Sequence, residues 1–191
     1  MKVSIYCILA SYAQPAVALR LASYPPCSPD PDCPADNISA GLRYGAHTDY
    51  TGFTILWPDP HIGGLEVFIP DSSSASEQGQ WVACPPRPGA FVVNAGDLIQ
   101  RWTNDHWVSN LHRVVSSRPS SNSMSSGPSG AAPENHERAR LSLVYFTGPN
   151  FATVCECLPS PLCSPQAPQY PPVTAGAHLR AKVTPTALEK S

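Results

Sequence analysis

A histidine and an aspartate lie two residues apart in the segment Tyr44–Tyr50, at His47 and Asp49. In an extended chain, side chains two residues apart point to the same side, so this imidazole and this carboxylate could bind one ion. Nitrogen and oxygen ligands together suit Fe(II), and two histidines with one carboxylate form a facial set that leaves coordination positions open. The pair therefore predicts an iron site if the chain supplies a second histidine.

His112 is the best candidate for that second histidine. It lies in the middle of a predicted strand, between Leu111 and Val114, where packing does not require an imidazole. It is far from Asp49 in sequence, but strands that are distant in sequence become neighbours in a jelly roll. His106 is a competing ligand candidate in a polar turn, and a histidine that only packs at the rim of the core is the alternative interpretation of His112.

An arginine and a serine alternate with leucines late in the chain, at Arg140 and Ser142. An arginine inside an apolar strand is costly without an anionic partner, and its planar fork matches a carboxylate. The pair therefore predicts a site for the distal carboxylate of a dicarboxylate such as 2-oxoglutarate, and Tyr24 could add a hydroxyl donor. As alternatives, Arg140 could form a rim salt bridge with Glu134 or Glu137, and Tyr24 could be a packed aromatic residue.

Short strands must position these side chains. Runs rich in β-branched and aromatic residues alternate with Gly and Pro turns at intervals of roughly 8–12 residues, which favours a sandwich, barrel or jelly roll. No helix-period segment alternates with these runs, which argues against a Rossmann fold or a TIM barrel. The predicted strands cover residues 17–24, 53–57, 65–69, 80–84, 90–94, 110–115 and 139–147, and a short helix is predicted over 174–182.

The composition of the 191-residue chain excludes several classes of protein. Its 23 prolines disfavour a helical bundle, because helix interiors exclude proline. Charged residues make up 14 % and the net charge is −2, so nothing in the charge favours nucleic acid or an anionic membrane as a partner. No apolar run reaches the length of about 18 residues that a membrane span needs. We expect a small-molecule partner.

Seven cysteines are present, an odd number with irregular spacing and no C-x-x-C pair. Free thiols in a reducing, cytoplasmic compartment are therefore expected. A soft-metal cluster of Cys155, Cys157 and Cys163 is an alternative. The first ten residues also resemble a weak signal peptide with a small-residue cleavage site at 16–18, although cleavage there would cut into the first predicted strand.

The chain divides into three predicted regions. Residues 1–16 form an irregular N-terminal remnant, residues 17–150 form the jelly-roll core, and residues 151–191 form a proline-rich tail with the short helix. Residues 116–137 hold many serines, prolines and glycines and almost no apolar side chain, so they are predicted to be a disordered insertion in the core.

A series of short motifs follows in order along the chain. They are Ser23-Tyr24-Pro25-Pro26-Cys27, Gly45-Ala46-His47-Thr48-Asp49, Gly63-Gly64-Leu65-Glu66-Val67, the segment from Pro88 to Asp97, Leu111-His112-Arg113-Val114, Arg140-Leu141-Ser142 and Phe146-Thr147-Gly148-Pro149. Together they resemble the isopenicillin N synthase-like family of Fe(II)/2-oxoglutarate-dependent dioxygenases. The segment Tyr170–Leu179 resembles the C-terminal segment of that family, and the ordered set is far more specific than any one motif.

The resemblance implies a mainly β protein with a double-stranded β-helix, or jelly-roll, fold. It implies that Fe(II) is held by His47, Asp49 and His112. It further implies that 2-oxoglutarate chelates the iron through its keto acid end while Arg140, Ser142 and Tyr24 hold its other carboxylate. The implied reaction uses O2 to oxidise a small organic metabolite, by hydroxylation, desaturation or ring closure, with release of succinate and CO2.

Two features depart from the family pattern. Ala22 stands where asparagine is often found, and only residues 1–16 stand where the family carries a helical N-terminal region. We therefore expect a truncated core with an exposed apolar sheet face. Two alternatives remain at this point: an iron oxidase that does not use 2-oxoglutarate, and a catalytically inactive jelly-roll fragment that acts as a binding module.

Overall fold

The structure is a computed structural model that describes residues 10–25, 41–71, 78–116, 139–158 and 167–188. The early strands are β1 (Ala18–Tyr24), β2 (Leu42–His47), β3 (Phe53–Trp57), β4 (Leu65–Pro70), β5 (Gly79–Ala83) and β6 (Val92–Ala95). The later elements are α1 (Asp97–Trp102), β7 (His112–Val115), β8 (Arg140–Phe146), β9 (Val154–Cys155), β10 (Val173–Thr174) and α2 (Ala175–Leu188). The prediction of a mainly β fold is confirmed.

Two four-stranded antiparallel sheets form the body of the molecule. The first sheet has the strand order β1–β8–β3–β6, and the second has the order β2–β7–β4–β5. Strands far apart in sequence are neighbours in both, as the pairing of β1 with β8 shows. This crossed order, with two facing sheets, is the predicted jelly roll.

Two register shifts in the β2–β7 pair determine where His47 lies. Leu42 lies opposite Val115, Tyr44 opposite Val114, and His47 opposite His112. Each shift gives β2 one more residue than β7, as a β-bulge does. An unbulged ladder that began at Leu42 would pair His47 with Asn110, so the bulges bring the two histidines opposite each other.

The apolar core of the described residues lies at one end of the jelly roll, around α1. This helix follows Gly96, and its first turn carries Asp97 and its last turn Arg101, an arrangement that favours the helix dipole. The buried core cluster consists of Leu98, Ile99, Trp102, Cys155 and Ala175. Packing at this end leaves the space between the two sheets for a cavity.

Some elements differ from the sequence prediction. Sequence patterns did not indicate α1, because six residues are too few to display helical periodicity. His112 begins β7 and is not in the middle of a strand, and α2 continues past Pro185 to Leu188. The predicted insertion at 116–137 lies, apart from its first residue, outside the described residues. The predicted boundaries of the three regions remain predictions.

The outer face of the first sheet is apolar and exposed. Leu19, Leu21 and Phe91 are each 62 % exposed, and Val93 and Trp57 continue the same surface. Large exposed apolar patches of this kind mark contact or aggregation surfaces. Within the described ranges, no helix has the length and apolar character needed to cross a membrane.

Candidate functional site

The structure brings together all three predicted metal ligands. The Nε2 atoms of His47 and His112 lie 3.9 and 3.8 Å from Oδ1 of Asp49. One ligand atom from each residue lies within 4.8 Å of the others, which is close enough for one ion to touch all three. Within the described parts of the chain, no other group of three such side chains meets this condition.

Backbone carbonyls orient both imidazoles. Nδ1 of His47 lies 2.8 Å from the carbonyl oxygen of Gly45, and Nδ1 of His112 lies 3.0 Å from that of Asn110. A ring whose Nδ1–H donates to a carbonyl presents the lone pair of Nε2, so both rings are held in the tautomer that a metal ion needs.

The carboxylate of Asp49 is held from the first sheet. Its Oδ2 accepts hydrogen bonds from Thr54 Oγ1 at 2.6 Å and from Asn94 Nδ2 at 2.7 Å. Thr54 and Asn94 lie directly opposite each other on β3 and β6. Because both bonds go to Oδ2, Oδ1 faces the histidines. The sequence did not single out these two residues, although each is a polar side chain in an otherwise apolar strand.

The pKa of the His47 imidazole is lowered, and burial is the largest cause. The positive charges of Arg20 and of a protonated His112 lower the pKa further. The hydrogen bond to the Gly45 carbonyl and the negative charge of Asp49 raise it, but by less than burial lowers it. A lowered pKa keeps the ring neutral near pH 7, which is the form that binds metal ions.

A second layer of contacts joins the Asp49 turn to the C-terminal helix. The backbone N–H of Asp97 donates to the carbonyl of Asp49 at 2.8 Å. The Asp97 carboxylate contacts Nε2 of His178 at 3.2 Å and Nζ of Lys182 at 2.9 Å. Burial alone would raise the pKa of Asp97, but the hydrogen bonds from His178, Lys182 and Ser109 outweigh burial and hold it well below 3.8.

Arg140, Ser142 and Tyr24 also lie together. Arg140 and Ser142 are each only 7 % exposed on the inner face of β8, and Tyr24 lies directly opposite Arg140 on β1. The Arg140 guanidinium carbon lies 4.3 Å from the centre of the Tyr24 ring. A buried cation with a neighbouring hydroxyl suits an anionic ligand.

The Gly63-Gly64 turn sets the position of this guanidinium. Nη1 of Arg140 donates a short hydrogen bond to the carbonyl of Gly63. Gly64 has a φ of +107°, and a Cβ there would lie 2.3 Å from the carbonyl oxygen of Val115. Only glycine tolerates both conditions, so the turn that supports Arg140 requires it.

One cavity of about 440 Å³ between the two sheets is lined by both the candidate metal ligands and the candidate anion receptors. Its walls include the three candidate metal ligands at one part and Tyr24, Arg140 and Ser142 at another. The rest of the lining is largely apolar and includes Leu56, Leu65, Val67, Val114 and Val144. An apolar cavity with a few converging polar groups is the usual form of a small-molecule site.

Other sequence-based candidates do not join this site. His106 is exposed in the turn after α1 and is outside the metal-binding group. Glu134, Glu137 and Cys163 lie outside the described residues, so the proposed rim salt bridge and the cysteine cluster remain predictions.

The geometry agrees with the comparison to known families. The family model described as "2OG-Fe(II) oxygenase superfamily" matches residues 5–149, which is most of the chain. The chain belongs to this superfamily. Its membership confirms Fe(II) and 2-oxoglutarate, which the sequence predicted, as the relevant metal ion and cosubstrate.

Several proteins are similar to this chain in sequence or structure. The 2-oxoglutarate-Fe(II) type oxidoreductase hxnY of Emericella nidulans is 36 % identical over 162 residues, which are 85 % of this chain and 38 % of hxnY. Gibberellin 3-beta-dioxygenase 2 of Arabidopsis thaliana is 36 % identical over 154 residues, 81 % of this chain and 36 % of that protein.

A crystal structure of a full-length Neurospora crassa protein in complex with alpha-KG and thymine matches with a TM-score of 0.65 and 30 % identity. The match covers 89 % of this chain and 44 % of the Neurospora chain. The chain therefore spans less than half the length of each of these relatives.

Proposed function

We propose that this chain forms the catalytic core of an Fe(II)- and 2-oxoglutarate-dependent dioxygenase that oxidises a small organic metabolite. The oxidation would be a hydroxylation, a desaturation or a ring closure. The observation that carries the proposal is that a His-Asp-His group and a buried arginine–serine pair share one cavity.

His47, Asp49 and His112 are the proposed iron ligands. The hydrogen bonds on their remote atoms support this role, because they leave two Nε2 atoms and one carboxylate oxygen directed at a common point. Three protein ligands also leave positions open on an octahedral ion.

Arg140, Ser142 and Tyr24 are the proposed receptors for the distal carboxylate of 2-oxoglutarate. Arg140 supplies the charge and a planar fork, and Ser142 and Tyr24 supply hydroxyl donors. When bound, Fe(II) and 2-oxoglutarate supply the activation of O2, with succinate and CO2 as co-products. The chain itself orients these groups and surrounds them with the aliphatic wall of the cavity.

The proposal is tested by titrating the protein anaerobically with Fe(II) and then 2-oxoglutarate. We expect a weak visible charge-transfer band that saturates with both additions. His47→Ala should abolish the band, whereas Arg140→Gln should shift its appearance to much higher 2-oxoglutarate concentrations. His61→Ala is a matched control, because His61 is exposed and lies outside the cavity.

A protein that is folded by circular dichroism but shows no band contradicts the proposal. A band that survives His47→Ala contradicts the assignment of the ligands. If the band forms but succinate does not accompany substrate oxidation, the iron oxidase without 2-oxoglutarate turnover replaces this proposal.

We also propose a cytoplasmic location. Cys84, Cys155 and Cys157 are free thiols, in keeping with a reducing compartment. Burial raises the pKa of the Cys155 thiol to about 11, so this side chain is a structural part of the core and not a reactive group. Subcellular fractionation of the native host should recover the protein with cytosolic markers, and recovery with a secretory fraction would overturn this.

A further inference from the structure

A second cavity of about 530 Å³ adjoins the candidate metal site. It shares Arg20, Tyr44, His47 and Asp49 with the cavity described above, so the two meet at the proposed iron ligands. Since the first cavity contains the proposed cosubstrate receptors, the second is the space left for the molecule that is oxidised.

The walls of this second cavity are mainly apolar. Ala16, Val17, Phe146, Phe151 and Leu179 contribute to them. Among the described residues that line it, Arg20 is the only arginine or lysine and Asp49, a proposed iron ligand, is the only carboxylate. Among the described residues of this lining, Arg20 is therefore the cationic side chain that can pair with an anionic group of a ligand.

Arg20 and Arg140 are too far apart to bind the same carboxylate. On β1, Arg20 lies opposite Val144, whereas Tyr24 lies opposite Arg140. Four residues of an extended strand span roughly 13 Å, so the two positions are at different ends of the inner face. Two arginines at this separation indicate two anion receptors.

Tyr44 holds Arg20 on the metal side of the cavity. Nη1 of Arg20 donates to the Tyr44 hydroxyl at 3.3 Å, and the guanidinium carbon lies 5.1 Å from the centre of the Tyr44 ring. The Tyr44 ring in turn packs edge-on against the His47 ring with centroids 4.7 Å apart. The arginine side chain is itself exposed, so a ligand can reach it from solvent.

We infer that the substrate is a small carboxylic acid with an apolar body, and that Arg20 receives its carboxylate while the apolar body lies in the second cavity beside the iron ligands. This inference rests on the proposed function. A guanidinium fork binds a planar carboxylate through two parallel hydrogen bonds, which a neutral amide of the same shape cannot match.

The test compares acids with their amides on protein loaded anaerobically with Fe(II) and saturating 2-oxoglutarate, which occupies the Arg140 site. Phenylacetate with phenylacetamide, and hexanoate with hexanamide, are the probes, and calorimetry measures their binding. We expect each acid to bind the wild type about tenfold more tightly than its amide, a difference of about 1.4 kcal/mol.

Variants assign this preference to Arg20. In Arg20→Gln the acid and the amide should bind alike, and Arg20→Lys should retain part of the preference because it keeps the charge but loses the fork. Arg180→Gln removes an exposed arginine of α2 that lines neither cavity, so it should keep the full preference.

Equal binding of acid and amide to the wild type for both pairs overturns the inference, and so does a preference that survives Arg20→Gln. The charge-transfer band with 2-oxoglutarate separates this result from a failure of the proposed function. A wild-type band without acid preference rejects the Arg20 site alone, whereas absence of the band rejects both. A normal band in Arg20→Gln shows that this variant is folded.

Discussion

Asp49 uses its two carboxylate oxygens for different purposes. Oδ2 is held by Thr54 and Asn94, while Oδ1 faces the two histidines. Partners of this kind orient a ligand before the metal binds, so the ion does not have to order the side chain itself.

Thr54→Val removes one of these partners while it keeps the shape of the side chain. We expect the affinity for Fe(II) to fall about 10–100-fold in an anaerobic titration, because Asp49 loses a hydrogen bond that fixes its direction. Thr103→Val is the matched control, since that buried hydroxyl bonds to the carbonyl of Ile99 within α1. Equal iron affinities in the two variants would show that Thr54 only contributes to packing.

Tyr24→Phe isolates the hydroxyl of the proposed cosubstrate site. The aromatic ring stays under the Arg140 guanidinium, and only the oxygen is lost. We expect the 2-oxoglutarate concentration at half-saturation of the charge-transfer band to rise about tenfold, since a hydrogen bond to a charged group is worth about 1.5–3 kcal/mol. Iron affinity in the absence of 2-oxoglutarate should not change. An unchanged half-saturation would mean that Tyr24 is the packed aromatic residue that the sequence left as an alternative.

At the scale of single residues, the sequence predicted candidate site residues where the chemistry requires a particular residue type. His47, Asp49, His112 and Arg140 were predicted as site residues because imidazole, carboxylate and guanidinium groups stand out beside apolar residues, and Ser142 because it shares a strand face with Arg140. Thr54 and Asn94 were not predicted, because a hydroxyl or amide side chain does not by itself indicate a metal site. Their role depends on a pairing across β3 and β6 that only the fold reveals.

At the scale of elements, bulges and a short helix position the site. The bulges in β2 align His47 with His112, and α1 presents the N–H of Asp97 to the Asp49 turn. Sequence patterns predicted most of the strands but neither of these features. A bulge changes the register without leaving a clear mark in residue type, and its effect depends on the partner strand.

Asp97→Asn tests the link between α1 and α2. Since the pKa of Asp97 is lower in the folded protein, its ionic contacts stabilise the fold above pH 3.8 and this contribution is lost as the pH falls further. At pH 7 we expect the variant to be less stable by about 1 kcal/mol, because Lys182 is partly solvated and its attraction is screened. Chemical unfolding of the metal-free protein at a series of pH values measures the difference.

The difference in the free energy of unfolding between wild type and Asp97→Asn should become smaller below pH 3.8. Lys182→Met removes one of the side chains that contact the Asp97 carboxylate, so it should give a smaller loss in the same direction. A difference that stays constant from about pH 7 to about pH 3 would show that the charge of Asp97 does not contribute to stability.

At the scale of the whole molecule, the exposed outer face of the first sheet is the surface most prone to association. Its apolar side chains alternate with the inward-facing site residues along the same strands, so β1 exposes Leu19 and Leu21 while it directs Tyr24 towards the cavity. The extent of the face follows from the order of the four strands.

Leu21→Lys should reduce self-association without loss of stability. It replaces an exposed apolar side chain with a charge, so light scattering should show fewer aggregates while the free energy of unfolding changes by no more than about 0.5 kcal/mol. Ser23→Lys is the control, because it adds the same charge on the same side of β1 without removing apolar surface. If both variants reduce scattering equally, net charge and not the apolar face controls association.

The cavity between the sheets has a mechanical consequence. The histidines at His47 and His112 belong to the second sheet, while Arg140 and Tyr24 belong to the first, and β7 and β8 are not hydrogen-bonded neighbours. 2-Oxoglutarate bound as proposed would join the two sheets through the iron ligands and Arg140, so we expect its release to be coupled to their separation. Amide hydrogen exchange in β7 and β8 should slow together when Fe(II) and 2-oxoglutarate are added, whereas slowing confined to one strand would show that the sheets move independently.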